Sequence, residues 1–172
     1  MTRAVEVRIA EREDAERITT VINSAFRGAE QFFIDEDRID VATVLNLLYT
    51  GKFLLAQNER LLLGCVYVEP RPLNSGRAYL GLLAVDPAHQ QSGLGSVLMD
   101  AAEDYCLGLD CRFMDIKVVN LRTDLFGFYQ RRGYLESGTS PFPTDIETKL
   151  PVHFIDMSKP LKSADSNQHH RL

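Results

Sequence analysis

The chain has 172 residues, 45% of them hydrophobic and 25% charged, which fits one globular domain. Its formal net charge of −5 argues against nucleic acid as the main partner, because phosphate binding needs clustered lysine and arginine. The sequence shows neither the apolar core of a signal peptide nor the roughly 20 apolar residues that cross a bilayer, so we expect a cytoplasmic protein without membrane contact.

In the first half of the chain, the sequence pattern predicts a strand, two helices and three further strands. Apolar and charged residues alternate over residues 5–9, as in a half-buried strand, and an apolar stripe over residues 18–25 marks the first helix. Gly28 and several acids then break the pattern, and a second helix is predicted over residues 39–49. Three apolar runs separated by turn residues predict an antiparallel meander, with strands at 53–56, 61–68 and 79–85.

The second half alternates strand, helix and strand. A helix is predicted over residues 95–111, and as a crossover it is long enough to make the strand at 113–119 parallel to the one at 79–85. A shorter helix over 123–132 follows, Tyr134 opens another strand, and the last strand is predicted over 151–157. The predicted core residues are Leu54, Leu62, Val66, Leu82, Val97, Leu98, Ala101, Ile116 and Val118.

The remaining features concern domain limits and cysteines. We expect a single domain over residues 1–161 and a polar, mobile tail over residues 162–172. The cysteines Cys65, Cys106 and Cys111 form no C-x-x-C motif and have no histidine at ligand spacing. They are therefore predicted to be apolar thiols, and no metal site is expected.

The segment HQQSGLGSVLMD, residues 89–100, has two glycines one residue apart just before an amphipathic helix. Unpaired backbone N–H groups and the positive end of the helix dipole converge at such a turn, which favours an anion. Glycine lets a phosphate approach the backbone, and Ser96 adds a hydroxyl donor. Two glycines alone are equally typical of a plain strand-to-helix turn.

Two nucleotide-binding motifs are excluded by the residues present. A P-loop requires Gly-Lys-Ser or Gly-Lys-Thr, and the chain contains neither. A dinucleotide fingerprint starting at Gly93 would need a glycine at the position of Leu98. The sequence therefore argues against a P-loop enzyme and against a nicotinamide-dependent oxidoreductase.

Two segments together resemble the GNAT N-acetyltransferase superfamily. The first is Q-x-x-G-x-G, from Gln90 to Gly95 after LLAVDP, and the second is VVNLRTDLFGFYQRRGY, with Asn120, Tyr129 and Gly133-Tyr134. The resemblance covers almost the whole chain and implies an α/β (α+β) fold, with a mixed, mostly antiparallel sheet of about seven strands and about four flanking helices. It also implies acetyl-CoA as the cofactor and a primary amine of a small molecule or peptide as the acceptor.

The resemblance assigns the diphosphate of acetyl-CoA to the glycine turn and the pantetheine arm to a gap between diverging strands. The cofactor-binding residues it implies are Leu83, Val85, Gln90, Gln91, Ser92, Gly93, Leu94, Gly95, Ser96, Asn120 and Tyr129. The spacing from Asn120 to Tyr129 is longer than is common in relatives, so the alternative for Asn120 is a cap on the following helix.

The resemblance also assigns catalytic roles. Tyr129 is the implied general acid for the departing thiolate, against the alternative of a core tyrosine whose hydroxyl is bonded. A backbone N–H near Val85 is the implied oxyanion donor. Glu69 is a candidate base acting through water, or simply a surface carboxylate at a strand end, because the acid that several relatives carry is replaced here around Tyr79 and Gly81.

The acceptor site is implied in two segments, GAEQFFIDEDR and SGTSPFPTDIETKLPVHF. Glu30 is predicted to attract an ammonium group, and Phe33, Phe142 and Tyr79 to contact the substrate. Alternatively, the acidic residues of GAEQFFIDEDR form a solvated loop, and the phenylalanines anchor that loop to the core. Because no clear base is present, a non-catalytic acyl-CoA sensor or interaction module stays open as a second hypothesis, and a homodimer is common among similar proteins.

Overall fold

The computed structural model describes residues 4–59, 61–72 and 75–162. The strands are β1 (Glu6–Ile9), β2 (Lys52–Asn58), β3 (Leu61–Pro70), β4 (Arg77–Val85), β5 (Phe113–Val119), β6 (Leu135–Pro141) and β7 (His153–Pro160). The helices are α1 (Ala15–Glu30), α2 (Val41–Thr50), α3 (Leu94–Gly108) and α4 (Thr123–Arg131). The predicted α/β fold is confirmed, whereas the predicted mobile tail lies outside the described residues except for Lys162.

All seven strands belong to one sheet in the order β1-β2-β3-β4-β5-β7-β6. The pairs from β1 to β4 are antiparallel, as predicted for the meander, and β6 and β7 continue the sheet beyond β5 with antiparallel pairing. The strands β4 and β5 are parallel, as predicted from the helical crossover α3. None of the described helices is both long and apolar enough to cross a membrane.

The sheet separates two large hydrophobic clusters. On one face, Leu54, Val66 and Leu80 pack with Leu98 and Met99 of α3. The alternate residues of the same strands point to the opposite face and pack with α1 and α2. Cys65, Cys106 and Cys111 are buried free thiols.

Three predicted core residues are placed differently. Val97 is 42% exposed, because Leu94, Leu98 and Ala102 of α3 face the sheet and Val97 lies to one side of that stripe. Leu82 and Ala101 are only partly buried and pack at the edges of the two clusters.

Several predicted boundaries also shift. Helix α1 continues through Gly28 to Glu30, so the expected break at this glycine is wrong: one glycine weakens a helix without ending it. Helix α2 begins after Asp40, whose side chain caps it by accepting a hydrogen bond from the Thr43 amide at 2.7 Å. Helix α3 ends before Cys111, Tyr134 precedes β6 as a buried residue, and β7 extends to Pro160 because it pairs along the whole of β5.

Asp14 fixes the beginning of α1. Its carboxylate accepts two hydrogen bonds from the Arg8 guanidinium, each 2.8 Å long, and a third from the Glu11 amide at 2.8 Å. The hydrogen bonds with Arg8 hold the pKa of Asp14 below its ordinary value although the residue is buried. A fully satisfied carboxylate therefore joins β1 to the first turn of α1.

Candidate functional site

The sheet opens between β4 and β5. Their parallel pairing runs only from Arg77 opposite Phe113 to Tyr79 opposite Asp115, although β4 continues to Val85 and β5 to Val119. A cavity of about 300 Å³ lies against the end of β4, and α1 and α4 form its other walls. Three of the residues assigned to the cofactor from sequence line it, namely Leu83, Val85 and Gln90.

A bulge in β4 lies at this opening. Cys65 of β3 is opposite Ala84 while Tyr67 is opposite Gly81, so Val66 faces two residues of β4. One of these is Leu82, which has a left-handed backbone with φ of 51°. A bulge of this kind leaves a backbone group outside the ladder. The irregularity expected near Val85 therefore lies at Leu82, and Val85 itself is paired with Gly64.

The glycine turn leads directly into α3. Gly93 precedes the helix with φ of 82°, a left-handed conformation that glycine adopts without steric cost, and a Cβ built on it would contact nothing within 4 Å. Within the described chain, the amides of Leu94, Gly95 and Ser96 donate to no backbone or side-chain acceptor. Open amides at the positive end of a 15-residue helix form a site suited to an anion.

The polar side chains of the turn support its backbone. Gln90 Nε2 donates to the carbonyl of Val85 at 3.2 Å, and the Ser92 hydroxyl donates to the carbonyl of His89. Gln91 has a left-handed φ of 64° and is exposed. Of the predicted cofactor residues in this segment, the side chains of Gln90 and Ser92 therefore hold the turn, and the backbone is what it presents to solvent.

Tyr129 is buried in α4 between Phe128 and Tyr134, whose rings make edge contacts with it at centroid distances of 5.2 and 5.8 Å. Its hydroxyl makes no hydrogen bond within the described residues, which differs from the bonded core tyrosine considered as the alternative. Burial raises the pKa of Tyr129 to about 12, against the opposing charge of Arg122. The phenol is therefore fully protonated at neutral pH.

Arg122 joins two helices at the cavity wall. Its Nη1 lies 3.3 Å from Glu30 Oε1 at the end of α1, and its Nη2 lies 3.0 Å from Asp124 Oδ2 in the first turn of α4. Burial raises the pKa of Glu30 above its ordinary value, although the charges of Arg38 and Arg122 oppose the shift. Glu30 is thus a carboxylate that ionises at some cost.

Glu69 is engaged in a separate network. Its Oε2 accepts a hydrogen bond from the Tyr67 hydroxyl at 2.9 Å, and Arg71 lies 3.7 Å from its other oxygen. Tyr79 is the residue opposite Glu69 in the sheet, and the Arg71 guanidinium lies 4.9 Å from the centre of its ring. Burial raises the pKa of Tyr79. The structure thus brings Glu69 to Tyr79, and the ionisable groups that act on Tyr129 are Arg122, Tyr79 and Asp124.

The predicted acceptor segments pack against each other. Phe33 and Phe142 are buried in a third cluster with Val119, so they anchor the loop after α1 instead of facing a cavity. Lys149 ties the two segments together, lying 2.7 Å from Asp35 Oδ1. A cavity of about 220 Å³ lies between α1 and this loop, and Glu30 is one of its lining residues.

Asn120 has a role in the sheet. Its amide donates to the carbonyl of His153 and its Oδ1 accepts from the His153 amide, both at 3.0 Å. The N-cap position of α4 is Arg122, so the alternative of Asn120 as a helix cap is wrong. Asn120 extends the pairing of β5 with β7 by one residue, and its side-chain oxygen is thereby engaged with that strand.

Two residues that the sequence analysis did not single out belong to this region. Arg122 is singled out by its ion pairs with Glu30 and Asp124, which the sequence alone does not reveal. Arg38 lines the smaller cavity, and its guanidinium carbon lies 5.4 Å from the centre of the Phe26 ring. No pattern in the sequence distinguishes Arg38 from other arginines in polar loops.

Comparisons with known proteins agree on one family. The family model described as Acetyltransferase (GNAT) family matches residues 9–134. The ribosomal-protein-S18-alanine N-acetyltransferase from Escherichia coli superposes with a TM-score of 0.72 at 17% identity, covering 95% of this chain and 98% of that one. Ard1 from Thermoplasma volcanium superposes with a TM-score of 0.73 at 19% identity, covering 93% of this chain and 99% of that one. The yncA structure from Salmonella typhimurium with its cofactor acetyl-CoA superposes with a TM-score of 0.71 at 19% identity, covering 93% of this chain and 95% of that one. At these identities the solved structures establish a shared fold.

Proposed function

From the premise that this chain belongs to the acetyltransferase (GNAT) family, we propose that it transfers the acetyl group of acetyl-CoA to a primary amine of a small molecule or peptide by direct attack. In this proposal Tyr129 is the general acid, and the gap between β4 and β5 holds the reacting groups. Membership of the family implies acyl transfer from acetyl-CoA, and the acceptor and the residue roles are our inference.

The observation that carries the proposal is the set of open amides at the start of α3, in the turn that follows β4, the strand that separates from β5 after Tyr79. Leu94, Gly95 and Ser96 supply unpaired N–H groups, and the space around Gly93 is open. A diphosphate carries two negative charges that suit such a cradle. The residues present therefore fit the cofactor, with Leu83 and Val85 lining the path towards the sheet.

When bound, acetyl-CoA supplies an activated acetyl thioester. The chain then has to stabilise the negative charge that develops on the acetyl oxygen and to protonate the sulfur that leaves. The bulge at Leu82 provides backbone outside the sheet ladder for the first task. Tyr129, with a hydroxyl that has no partner in the described residues, provides the proton for the second.

The raised pKa of Tyr129 is compatible with this role. Desolvation disfavours every anion, so a thiol group held in an equally desolvated position would also have a raised pKa. The direction of proton transfer therefore depends on the difference between the raised pKa of Tyr129 and the raised pKa of the thiol. We expect turnover to stay free of a descending limb from Tyr129 up to about pH 10, because the phenol is protonated throughout that range.

The test compares Tyr129→Phe with wild type in two assays, acetyl-CoA binding by calorimetry and thiol release with a panel of primary amines. We expect roughly a 100-fold loss of kcat, as is typical of losing a general acid, with unchanged cofactor affinity. Tyr134→Phe is the matched control, because it removes a buried hydroxyl that bonds Glu103 at 3.0 Å on the neighbouring ring. It is expected to lower stability and leave kcat within about twofold.

Three results would redirect the proposal. Unchanged turnover in Tyr129→Phe removes this residue from the mechanism. Cofactor binding without turnover on any amine favours the sensor or interaction module, for which the engagement of Glu69 by Tyr67 and Arg71 is the supporting observation. Failure to bind acetyl-CoA at millimolar concentration rejects the acetyl transfer itself.

A further inference from the structure

The cavity between α1 and the loop after it has walls of both charges. It measures about 220 Å³, and its lining includes the carboxylate of Glu30 and the guanidinium of Arg38, with Phe26 and Ile146 as apolar surface. The other arginine on its wall, Arg27, is already paired with the exposed Asp37. The wall also carries the exposed carboxylates of Asp35, which is paired with Lys149, and Glu36. The charged lining residues that are not exposed are Glu30 and Arg38, and the proposal below concerns these two.

Glu30 has one carboxylate oxygen to offer. Oε1 lies 3.3 Å from Arg122, whereas Oε2 makes no hydrogen bond within the described part of the chain. The residue as a whole is only 6% exposed, and Glu30 is one of the residues that line the cavity. An ammonium group in the cavity would give this oxygen a charge-assisted hydrogen bond.

Arg38 has unused donors facing the same space. Its Nε is buried and unpaired, so a ligand cannot reach it, whereas its two Nη nitrogens make no hydrogen bond within the described residues and are the donors open to a ligand. The centre of the Phe26 ring lies 5.4 Å from the guanidinium carbon, a cation–π contact that leaves these two donors available. The charge of Arg38 also lowers the pKa of both Glu30 and Tyr79, against the effect of burial.

We propose that this cavity binds the acceptor as a zwitterion, an α-amino acid or a close analogue, with its ammonium group on Glu30 and its carboxylate on Arg38. The inference rests on the proposed acetyl transfer, and it narrows the acceptor from any primary amine to an amine that carries an acid. A simple amine would leave the Nη donors of Arg38 without an acceptor, whereas a carboxylate matches the fork of the guanidinium.

The size of the cavity agrees with a small acceptor. Its 220 Å³ corresponds to about seven water molecules at their volume in the liquid, which accommodates an amino acid. Drug-sized ligands occupy about 300–1,000 Å³. A peptide has an ammonium group at its first residue but an amide where a free amino acid has its carboxylate, so it would offer Arg38 only a neutral oxygen.

The experiment measures ligand binding and turnover in the same preparation. Free α-amino acids, the corresponding carboxamides and short peptides with the same first residue are titrated into the protein saturated with coenzyme A, and each is then assayed with acetyl-CoA. We expect free acids to bind roughly 10- to 100-fold more tightly than their carboxamides, which is the effect of one charge-assisted hydrogen bond.

Two substitutions separate the two contacts. Arg38→Gln is expected to weaken binding of the free acids roughly 10- to 100-fold and to leave the carboxamides within about twofold. Glu30→Gln is expected to weaken acids and carboxamides alike, because both carry the ammonium group. The matched control is Arg27→Gln on the same wall, where the side chain already pairs with Asp37, and it should change neither series.

The outcomes distinguish this inference from the proposed function. If carboxamides or peptides bind as well as the free acids, or if Arg38→Gln weakens all ligands equally, the zwitterion site is wrong even when acetyl transfer occurs. If the protein fails to bind coenzyme A, the proposed function is wrong, and a preference for free acids in direct titration would still support the amino-acid site.

Discussion

Helix α1 carries a buried carboxylate at each end, and the two have opposite electrostatics. Asp14, just before the helix, and Glu30, its last residue, are each 6% exposed. The pKa of Asp14 is lowered by its hydrogen bonds with Arg8, whereas the pKa of Glu30 is raised by burial. Equal exposure hides a difference in depth: Glu30 lies deeper among protein atoms, so desolvation dominates there, whereas hydrogen bonds dominate at Asp14. Exposure alone therefore does not determine the state of a carboxyl group.

The helix itself contributes to the difference. A carboxylate at the N-terminus of a helix is favoured by the macrodipole and one at the C-terminus is disfavoured. Asp14 also closes a capping box with Glu11, while Glu30 has one partner at 3.3 Å. At the N-terminal end of α1, the contacts of Asp14 stabilise the fold. At the C-terminal end, Glu30 retains an oxygen without a hydrogen-bond donor among the described residues at a cavity wall, as a ligand site requires.

The largest expected effect on stability comes from Asp14→Asn. The change removes the charge that two guanidinium hydrogen bonds require, and we expect it to lower the free energy of unfolding by about 2 kcal/mol, or the Tm by about 4–8 °C. Calorimetric unfolding measures this. The exposed Asp104→Asn on α3 serves as control, with an expected change within about 0.5 kcal/mol. A negligible loss in Asp14→Asn would remove the contrast between the two ends.

Glu30→Gln is expected to affect activity and leave stability unharmed, which is the opposite of Asp14→Asn. It removes a charge that is costly to bury, so the Tm should stay constant or rise, while kcat/KM for the acceptor falls roughly 10- to 100-fold. The measurements are thermal unfolding and initial rates at varied acceptor concentration. A Tm loss equal to that of Asp14→Asn would show that Glu30 is a structural residue like Asp14.

Arg8→Lys tests how much the ion pair at the N-terminal end of α1 depends on the geometry of the guanidinium. Lysine keeps the charge but cannot donate to both oxygens of Asp14 in parallel, so about 1 kcal/mol of stability should be lost. Chemical denaturation in urea is the suitable measurement. A loss as large as that of Asp14→Asn would mean that the geometry of the pair accounts for its whole contribution.

The smallest expected effect is the pH dependence of stability. Because the pKa of Asp14 is lowered in the folded state, its contribution is present at neutral pH and is lost as the pH falls through that lowered value. Because the pKa of Glu30 is raised, stability falls as the pH rises from the ordinary carboxyl value through the raised one.

Thermal unfolding from about pH 3 to about pH 7 tests both signs. Relative to wild type, Asp14→Asn should be destabilised at pH 7 and approach wild type in acid. The Tm of Glu30→Gln should rise relative to that of wild type as the pH rises. Parallel curves for the two variants would contradict the assigned directions.

The sequence predicts the region of the proposed cofactor site better than that of the proposed acceptor site, and these two regions are called the cofactor end and the acceptor end below. The turn before α3 is encoded locally, by Gly93 and by the apolar stripe that follows, and the sheet order follows from short connections and one helical crossover. The bulge at Leu82 and the pairing of Asn120 with His153 depend on contacts between strands, so local patterns did not reveal them.

The acceptor end depends on contacts between distant segments. Phe33 and Phe142 are far apart in the sequence and share one buried cluster. Their hydrophobicity left a substrate-facing wall and an anchor both open, and the structure shows the anchor. Arg122 meets Glu30 across 92 positions of chain. Such a pair is invisible to periodicity and spacing, and the burial that raises the pKa of Glu30 exists only after folding.

The binding of acetyl-CoA to the start of α3 is tested most directly by calorimetric titration of wild type, Gly95→Ala and Gly95→Asp. A Cβ at Gly95 would lie 3.6 Å from Phe128, an ordinary contact, so alanine fits, and a first-turn aspartate suits the helix dipole. We predict saturable binding for wild type and Gly95→Ala, and binding at least roughly tenfold weaker for Gly95→Asp, whose carboxylate repels the diphosphate. Wild type that fails to saturate at millimolar acetyl-CoA, or Gly95→Asp that binds as wild type does, would contradict the account.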